Sequence, residues 1–392
     1  LGSRRVLLAW ELGVGYGHSM KLARIGSRLA AAGHQVTAAC SRPFFATPLD
    51  KAGIPVLVAP ETTPADFRPI PASATLTDSL AQAGLLDEQA MRRALAGWRA
   101  IIDQTRPDLV ILDYAPMATL AARGRARTMQ SGVGFCLPPQ HLEAFPLLHA
   151  FTPPMARDAD MLDAVNRALA AEGLDAIDRI GALFQADDAF VTTFQLLDPY
   201  ADVRPRPADG PLMTEPMRER RPGADRIFAY LHMDVICRPG VMAALQVLGP
   251  MLDIYTPSAS PAAVAALRAA GVRVHGEAQR MSVVLERARL VLHQGNAGVA
   301  ADALAAGVPQ YTLCQHVEHY LNGEAISAAG VARSRLLFDP GYMPDPTDIL
   351  AFAEDADAAE LALAAGRMHR AMLEERPPLE HLVERCLALL AA

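Results

Sequence analysis

Residues 6–40 read VLLAW-ELGVGYGH-SMKLARIGSRLAAAG-HQVTAAC, and this stretch decides the fold. The run 6–10 is apolar without a break, which suits a strand buried on both faces. A loop with glycines at 13, 15 and 17 follows and ends at His18. Ser19 is placed to cap a helix whose apolar positions Leu22, Ile25 and Leu29 share one face. Gly33 ends that helix, and residues 36–40 read as a second strand. Strand, helix and strand in this order call for a parallel sheet with crossovers, and the α/β class follows.

The same rhythm runs outward from this opening. A helix is expected over 88–104, stopped by Pro107, then a buried strand over 109–112 that ends at Asp113. A helix over 118–129, a strand over 133–135, a proline-rich loop, two further helices and a strand over 190–194 complete the first half. From 198 to 225 Pro, Arg and Gly dominate and no apolar period is left, which reads as a linker. Beyond it, strands over 227–231, 252–255, 272–274, 290–292 and 310–313 alternate with helices over 241–248, 261–270, 299–306 and 317–329. The expected organisation is a Rossmann-like domain over 1–197, a linker over 198–225 and a second Rossmann-like domain over 226–392. Open α/β sheets bind ligands beyond the carboxyl ends of their strands. Two such domains in tandem are expected to face each other across a cleft.

With 392 residues, 51% hydrophobic and 20% charged, the chain has apolar side chains enough for two cores. A net charge of −7 with no dense basic run argues against nucleic acid as a partner. The five cysteines are scattered and form no C-x-x-C pair, which argues against a disulfide framework or a zinc cluster. No apolar stretch approaches the ~18 residues of a membrane span. A cytoplasmic protein, monomer or homodimer, is expected.

Two loops carry candidate chemistry. After the strand 290–292 comes His293-Gln294-Gly295-Asn296-Ala297-Gly298, then a helix, then Gly307-Val308-Pro309. A glycine-rich strand-to-helix loop lets backbone N–H groups approach a pyrophosphate at the positive end of the helix; the plain alternative is a tight turn with no ligand. In the first loop, His18 is of the type that serves as a general base near neutral pH. Such a base needs a carboxylate to orient its ring, and Glu11 in the same loop is a rival base. The alternative for a loop histidine is a solvated or internally satisfied ring. Gly13-x-Gly15 lacks the third glycine and the acidic residue of a dinucleotide fingerprint, and no Gly-Lys-Ser/Thr exists for a P-loop. His316 and His319 stand as H-x-x-H without a further ligand set, so no metal is expected. Glu11, Tyr16, Phe135, His141 and Phe145 are candidates to contact an acceptor, although the phenylalanines equally suit packing beneath the proline-rich loop.

These segments resemble the GT-B-fold, nucleotide-sugar-dependent glycosyltransferases, the family of UDP-glycosyltransferases and of macrolide and antibiotic glycosyltransferases. The resemblance rests on residues 17–29, 32–37 and 107–113, and on Gly295, Gly298, Asp302, Ala303-Leu304, Gly307-Val308-Pro309, Glu318-His319 and Asn322. It implies inverting transfer of a sugar from a UDP- or TDP-type donor to a small, fairly apolar acceptor. The nucleotide sugar is then a co-substrate, and no other cofactor is needed. It further implies that His18 is the base and Asp113 its support. The loop His293, Gln294, Gly295, Asn296, Ala297 and Gly298 would hold the diphosphate, Asp302 the ribose, Glu318 and His319 the sugar, and Gln279 the base. Three positions depart from the pattern: the family's phosphate-contacting His falls on Gln294, its hydroxyl residue on Val299, and its Asp-Gln pair on Glu318-His319. They leave open a relative with other nucleotide-sugar chemistry, such as an epimerase, and a non-catalytic nucleotide-sugar-binding protein. The last helix, 379–390, is expected either to cross back onto the first domain, as in relatives, or to pack on its own half.

Overall fold

The computed structural model describes residues 2–64, 72–238, 240–339 and 341–392. The chain divides into two compact units, one formed by the residues up to Leu212 with Pro377–Ala392, the other by Met213–Arg376. The division falls inside the stretch 198–225 read as a linker. That stretch lacks helix and strand but is not a free tether. Asp198 pairs with the buried Arg204 in the first unit, and the Arg220 and Arg221 amides donate to the Ala306 and Glu286 carbonyls in the second.

In the first unit the strands are β1 (Arg5–Trp10), β2 (Gln35–Cys40), β3 (Val56–Val58), β4 (Leu109–Asp113), β5 (Arg127–Gly132) and β6 (Asp188–Val191). The helices are α1 (Tyr16–Ala31), α2 (Thr47–Lys51), α3 (Leu76–Gln82), α4 (Glu88–Thr105), α5 (Pro116–Ala122) and α6 (Asp158–Ala171). The strands pair in parallel in the order β3-β2-β1-β4-β5-β6.

The second unit carries β7 (Arg226–Tyr230), β8 (Leu252–Tyr255), β9 (Arg273–His275), β10 (Ala288–His293), β11 (Gln310–Cys314) and β12 (Ala332–Leu336). Its helices are α7 (Met233–Ile236), α8 (Val241–Leu248), α9 (Pro261–Ala269), α10 (Met281–Glu286), α11 (Ala297–Ala306), α12 (Val317–Ala328), α13 (Pro346–Ala353) and α14 (Ala356–Glu375). The sheet order β12-β11-β10-β7-β8-β9 is the same topology, with β7 and β10 in the places of β1 and β4. Both units are therefore Rossmann-like. The strand order reverses at β1/β4 in one and at β7/β10 in the other, which is where such sheets open a ligand crevice.

The last helix, α15 (Pro378–Ala391), packs on the first unit. Leu382, Cys386 and Leu390 join Leu22, Ile25 and Leu29 of α1 in one core. Arg385 adds ion pairs to Asp188 and Asp209.

Three sequence expectations shift here. The helix expected over 118–129 stops at Ala122, and the strand expected over 133–135 lies earlier, over Arg127–Gly132. That strand is polar (RTMQSG) yet buried. Its polar groups find partners inside: Gln130 bonds Thr119, and Thr128 bonds Asp187. An apolar-run criterion passes over a strand of this kind. Ser19 does not cap α1, which starts at Tyr16 with Gly15 as its N-cap; the Ser19 hydroxyl donates to the Tyr16 carbonyl within the first turn.

Candidate active site

β1 and β4 run side by side with Trp10 beside Asp113, so the ends of both strands deliver side chains to the same point. The loop from Glu11 to Gly15 then turns the chain into α1, and His18 comes out in the first turn of that helix, facing Asp113. Its Nδ1 lies 3.0 Å from Asp113 Oδ2. A carboxylate can only accept there, so Nδ1 carries the proton and Nε2 keeps its lone pair. Lys21, one turn further along α1, donates to Asp113 Oδ1 at 2.7 Å and to the Ser131 carbonyl. Burial opposes the charge on Asp113, but Lys21 and His18 together hold its carboxyl below the usual carboxylate range.

Two further features shape the base. The imidazole stacks on the Trp10 indole, with centroids 5.0 Å apart and 16° between planes. A ring that gains a proton during reaction is favoured over such a π face. The indole is itself locked by a 2.7 Å bond from its N–H to the Leu12 carbonyl. Gly13, at φ +84°, passes so close that a Cβ there would lie 2.6 Å from His18 Nε2. The absence of a side chain at Gly13 is what lets the loop pass His18 Nε2 without a clash.

Glu11 is neither a base nor an acceptor contact. It is 1% exposed, and its Oε2 accepts the Met117 and Ala118 amides at the start of α5. Burial pushes its carboxyl up to about 8. Phe135 and Phe145 are also buried: the Phe135 carbonyl meets the Tyr200 hydroxyl, and Phe145 sits edge-on to Phe184. Both rings are turned to interior contacts, and His141 is exposed. Of the acceptor candidates, Tyr16 alone stands half-exposed on the first turn of α1, edge-on to Phe45.

In the second unit, β10 ends at His293 and the chain turns through Gly295 (φ +90°) into α11. A Cβ on Gly295 would come within 2.5 Å of the His319 carbonyl, so any other residue would force the turn or the start of α12 to shift. The Asn322 amide holds the turn from below by donating to the Gly295 carbonyl at 2.8 Å. Asn296 is the N-cap of α11 but makes no side-chain cap bond. Ala297 and Gly298 begin the helix, Gly298 exposed, so the first amides of the helix have no side-chain cap.

His293 departs from the expected phosphate contact. It is fully buried, its Nδ1 accepts the Gly295 amide and its Nε2 donates to Gln310 Oε1. Burial takes its pKa down to about 4. It braces the loop from within as a neutral ring. Gln294 is likewise buried, and its Oε1 accepts the His232 amide, tying the end of β7 to the end of β10. Asp302 and Glu318 are half-buried on α11 and α12. Gln279 lies beyond β9, its amide turned back to the Glu277 carbonyl. The residues that sequence reasoning missed are Lys21, Trp10, His232 and, as part of this site, His316. A lysine at i+3 from His18 was the signal available for the first.

No protein-family model matches the chain. The L-demethylnoviosyl transferase of Streptomyces niveus is 26% identical over 392 residues, covering 94% of this chain and 92% of that protein. The solved calicheamicin glycosyltransferase CalG4 superposes with a TM-score of 0.72 at 18% identity, over 100% of this chain and 99% of its own. The chain has the GT-B fold of the antibiotic glycosyltransferases. The glycosyltransferase VinC, solved in complex with dTDP, superposes with a TM-score of 0.62 at 16% identity, over 97% of this chain and 100% of its own. These likenesses bear out the resemblance and the glycosyltransferase class expected from the sequence of this GT-B chain. No helix among its described residues is long and apolar enough to cross a membrane.

Proposed function

We propose that the protein is an inverting glycosyltransferase that moves a sugar from a UDP- or TDP-type donor to a hydroxyl on a small, largely apolar natural-product acceptor. The observation that carries this reading is the His18–Asp113 pair, charge-balanced by Lys21, at the strand-order reversal, with Nδ1 engaged by the carboxylate and no side chain at Gly13 to crowd Nε2. The acceptor hydroxyl gives its proton to Nε2 while its oxygen attacks the anomeric carbon. The bond from that carbon to the diphosphate oxygen breaks, and the electron pair leaves with the diphosphate. A single displacement of this kind inverts the configuration. Asp113 holds the ring and balances the imidazolium as it forms.

In the second unit the amides at the start of α11 suit the leaving charge, because they are fixed before reaction and have no side-chain cap. Asp302 is assigned to the ribose, Glu318 to the sugar and the segment around Gln279 to the nucleobase, as the family pattern implies. The dTDP bound by VinC supports a nucleoside diphosphate as the group recognised. The calicheamicin and L-demethylnoviosyl enzymes support a natural-product acceptor. A purely donor-binding role would not call for an intact base, carboxylate and lysine in the other unit.

The test is product analysis. Incubation with UDP- and dTDP-sugars against a panel of phenolic and macrolide aglycones should yield a glycoside of inverted anomeric configuration, read by mass spectrometry and NMR. Retained configuration would discard the single displacement. Donor binding without transfer to any acceptor, and without hydrolysis, would favour the non-catalytic reading.

A further inference from the structure

Around the start of α11 the second unit gathers imidazoles that neither the fold nor the transfer reaction requires. His232 follows β7, His293 ends β10, His316 follows β11 as the N-cap of α12, and His319 lies in the first turn of α12. His316 and His319 stack on each other with centroids 3.6 Å apart and 30° between planes. His319 is 5% exposed, and its Nε2 lies 3.5 Å from the Asn296 side-chain nitrogen, on the N-cap of α11. Its Nδ1 has no partner. Where the ring proton sits on Nδ1, that nitrogen is a buried donor without an acceptor beside an uncapped helix start, and Asn296 Oδ1 is unpaired there as well. A group of this kind costs free energy unless something binds to it. The partner it suits is an anion rich in acceptor oxygens.

We propose that the stacked pair His316–His319 is a proton-coupled clamp for the nucleoside diphosphate, neutral in the free protein and sharing one proton when the diphosphate seats at the start of α11. This rests on the donor reading above and adds to it which residues replace the histidine missing at Gln294. Burial keeps both rings uncharged before binding: His316 falls to about 4, and His319 is held well below the usual histidine value by burial and by its histidine neighbours. Two charges cannot be held on rings this close, so the uptake is limited to one proton.

Among the groups around the pair the neighbouring histidines favour neutral rings and Asp234 opposes them at His316, with burial the larger effect. His232 and His293 are themselves depressed by burial and remain neutral. Asp234 is engaged by the Gln315 amide. Asp302 on α11 and Glu318 on α12 are the half-buried carboxylates of the neighbouring helices. On β12, Arg333 and Arg335 are paired with Asp348. No cluster of three metal-ligating groups forms among the described residues. The charge that the pair lacks is therefore the one an incoming diphosphate would induce.

The test is calorimetry of UDP and dTDP binding to the full chain between pH 7 and 8.5, in buffers of different ionisation enthalpy. Over this range the terminal phosphate, with a pKa of ~6, contributes little proton exchange of its own. The expected result is net uptake of up to one proton, with Kd rising by up to about tenfold per pH unit. H319Q and H316A, each verified by thermal melting to fold as the wild type does, should bind the same nucleotide with a flat pH profile and no uptake. Binding without proton exchange in the wild type, or uptake that persists in both variants, would overturn the clamp and leave the donor reading standing. Uptake seen with a nucleotide sugar but not with dTDP or UDP would place the pair against the sugar instead and overturn it as well. Failure of every nucleotide to bind at any pH would remove the donor reading, and the clamp with it.

Discussion

The two loops at β1/β4 and β7/β10 occupy the same place in the same topology and are opposite in electrostatics. At β1/β4 a buried carboxylate gathers a lysine and a histidine, so every charge has a partner within 3.0 Å. At β7/β10 the strand ends gather neutral imidazoles, amides and an uncapped helix start. The contrast shows that the fold supplies an address and the side chains supply the chemistry. Proton abstraction needs an anion behind the base, whereas an anion site needs donors and no anion behind them.

The sharpest way to break the comparison is His18→Ala. Loss of a general base should lower kcat by about 10²–10⁴-fold while nucleotide affinity in the other unit stays within twofold of wild type (about 0.4 kcal/mol). Unchanged turnover in a steady-state assay would end the assignment of His18.

Asp113→Asn comes next, because it removes the anion that both Lys21 and His18 share. Leaving Lys21 buried without its counter-charge should cost about 3–5 kcal/mol of stability, read by chemical denaturation. The carboxyl of Asp113 is depressed in the fold, so its contribution is present above the usual carboxylate range and is lost as pH falls through the folded-state value. The variant should therefore show a flatter acid limb of stability than the wild type. Matching acid limbs would remove Asp113 from the charge balance.

The two loop glycines form a matched pair. Gly13→Ala and Gly295→Ala each place a Cβ at positive φ, with an expected stability loss of about 1–2 kcal/mol. Their functional effects should separate. The first crowds His18 Nε2 and lowers kcat, while the second pushes on the His319 carbonyl and weakens nucleotide binding. If both variants lost the same parameter in kinetics and calorimetry, the division of labour would not hold.

Glu11→Gln should act on stability more than on turnover. The folded-state value of Glu11 is raised to about 8, so its favourable contribution is complete below the unfolded value and is lost as pH rises toward about 8. The melting-temperature difference between Gln and Glu should therefore move in favour of the variant from about pH 5 to about pH 8. Lys21→Met is the smallest effect expected. Removing the cation leaves more of the Asp113 charge to favour the protonated imidazole, so the acid limb of kcat/KM should move to higher pH by about one unit or less. A shift to lower pH would show that Lys21 acts otherwise.

Most of the architecture was legible before any coordinates. The nine helices and strands read in the second half before the C-terminal tail lie within two residues of observed elements, whereas β12, α7 and α10 went unread: β12 is polar (ARSRL), and the two helices are only four and six residues long. The misreadings have one physical cause. β5 is polar inside a buried sheet and His293 is a polar ring inside a loop, and both are satisfied by partners distant in sequence. Glu11 is of the same kind, spent on the amides of α5 more than 100 residues away.

By itself the sequence determined the α/β class and the tandem Rossmann-like halves, since periodicity, glycine turns and strand ends are local signals; the pairing of His18 with Asp113 was legible only through the family resemblance. Only the tertiary structure decided which polar residues face a ligand and which face each other. It placed Lys21 on Asp113, moved Glu11 and His293 into the interior, brought His316 onto His319 and docked the last helix on the first unit. The reason is that burial and hydrogen-bond satisfaction belong to contacts across the fold, and no pattern of neighbouring residues records them.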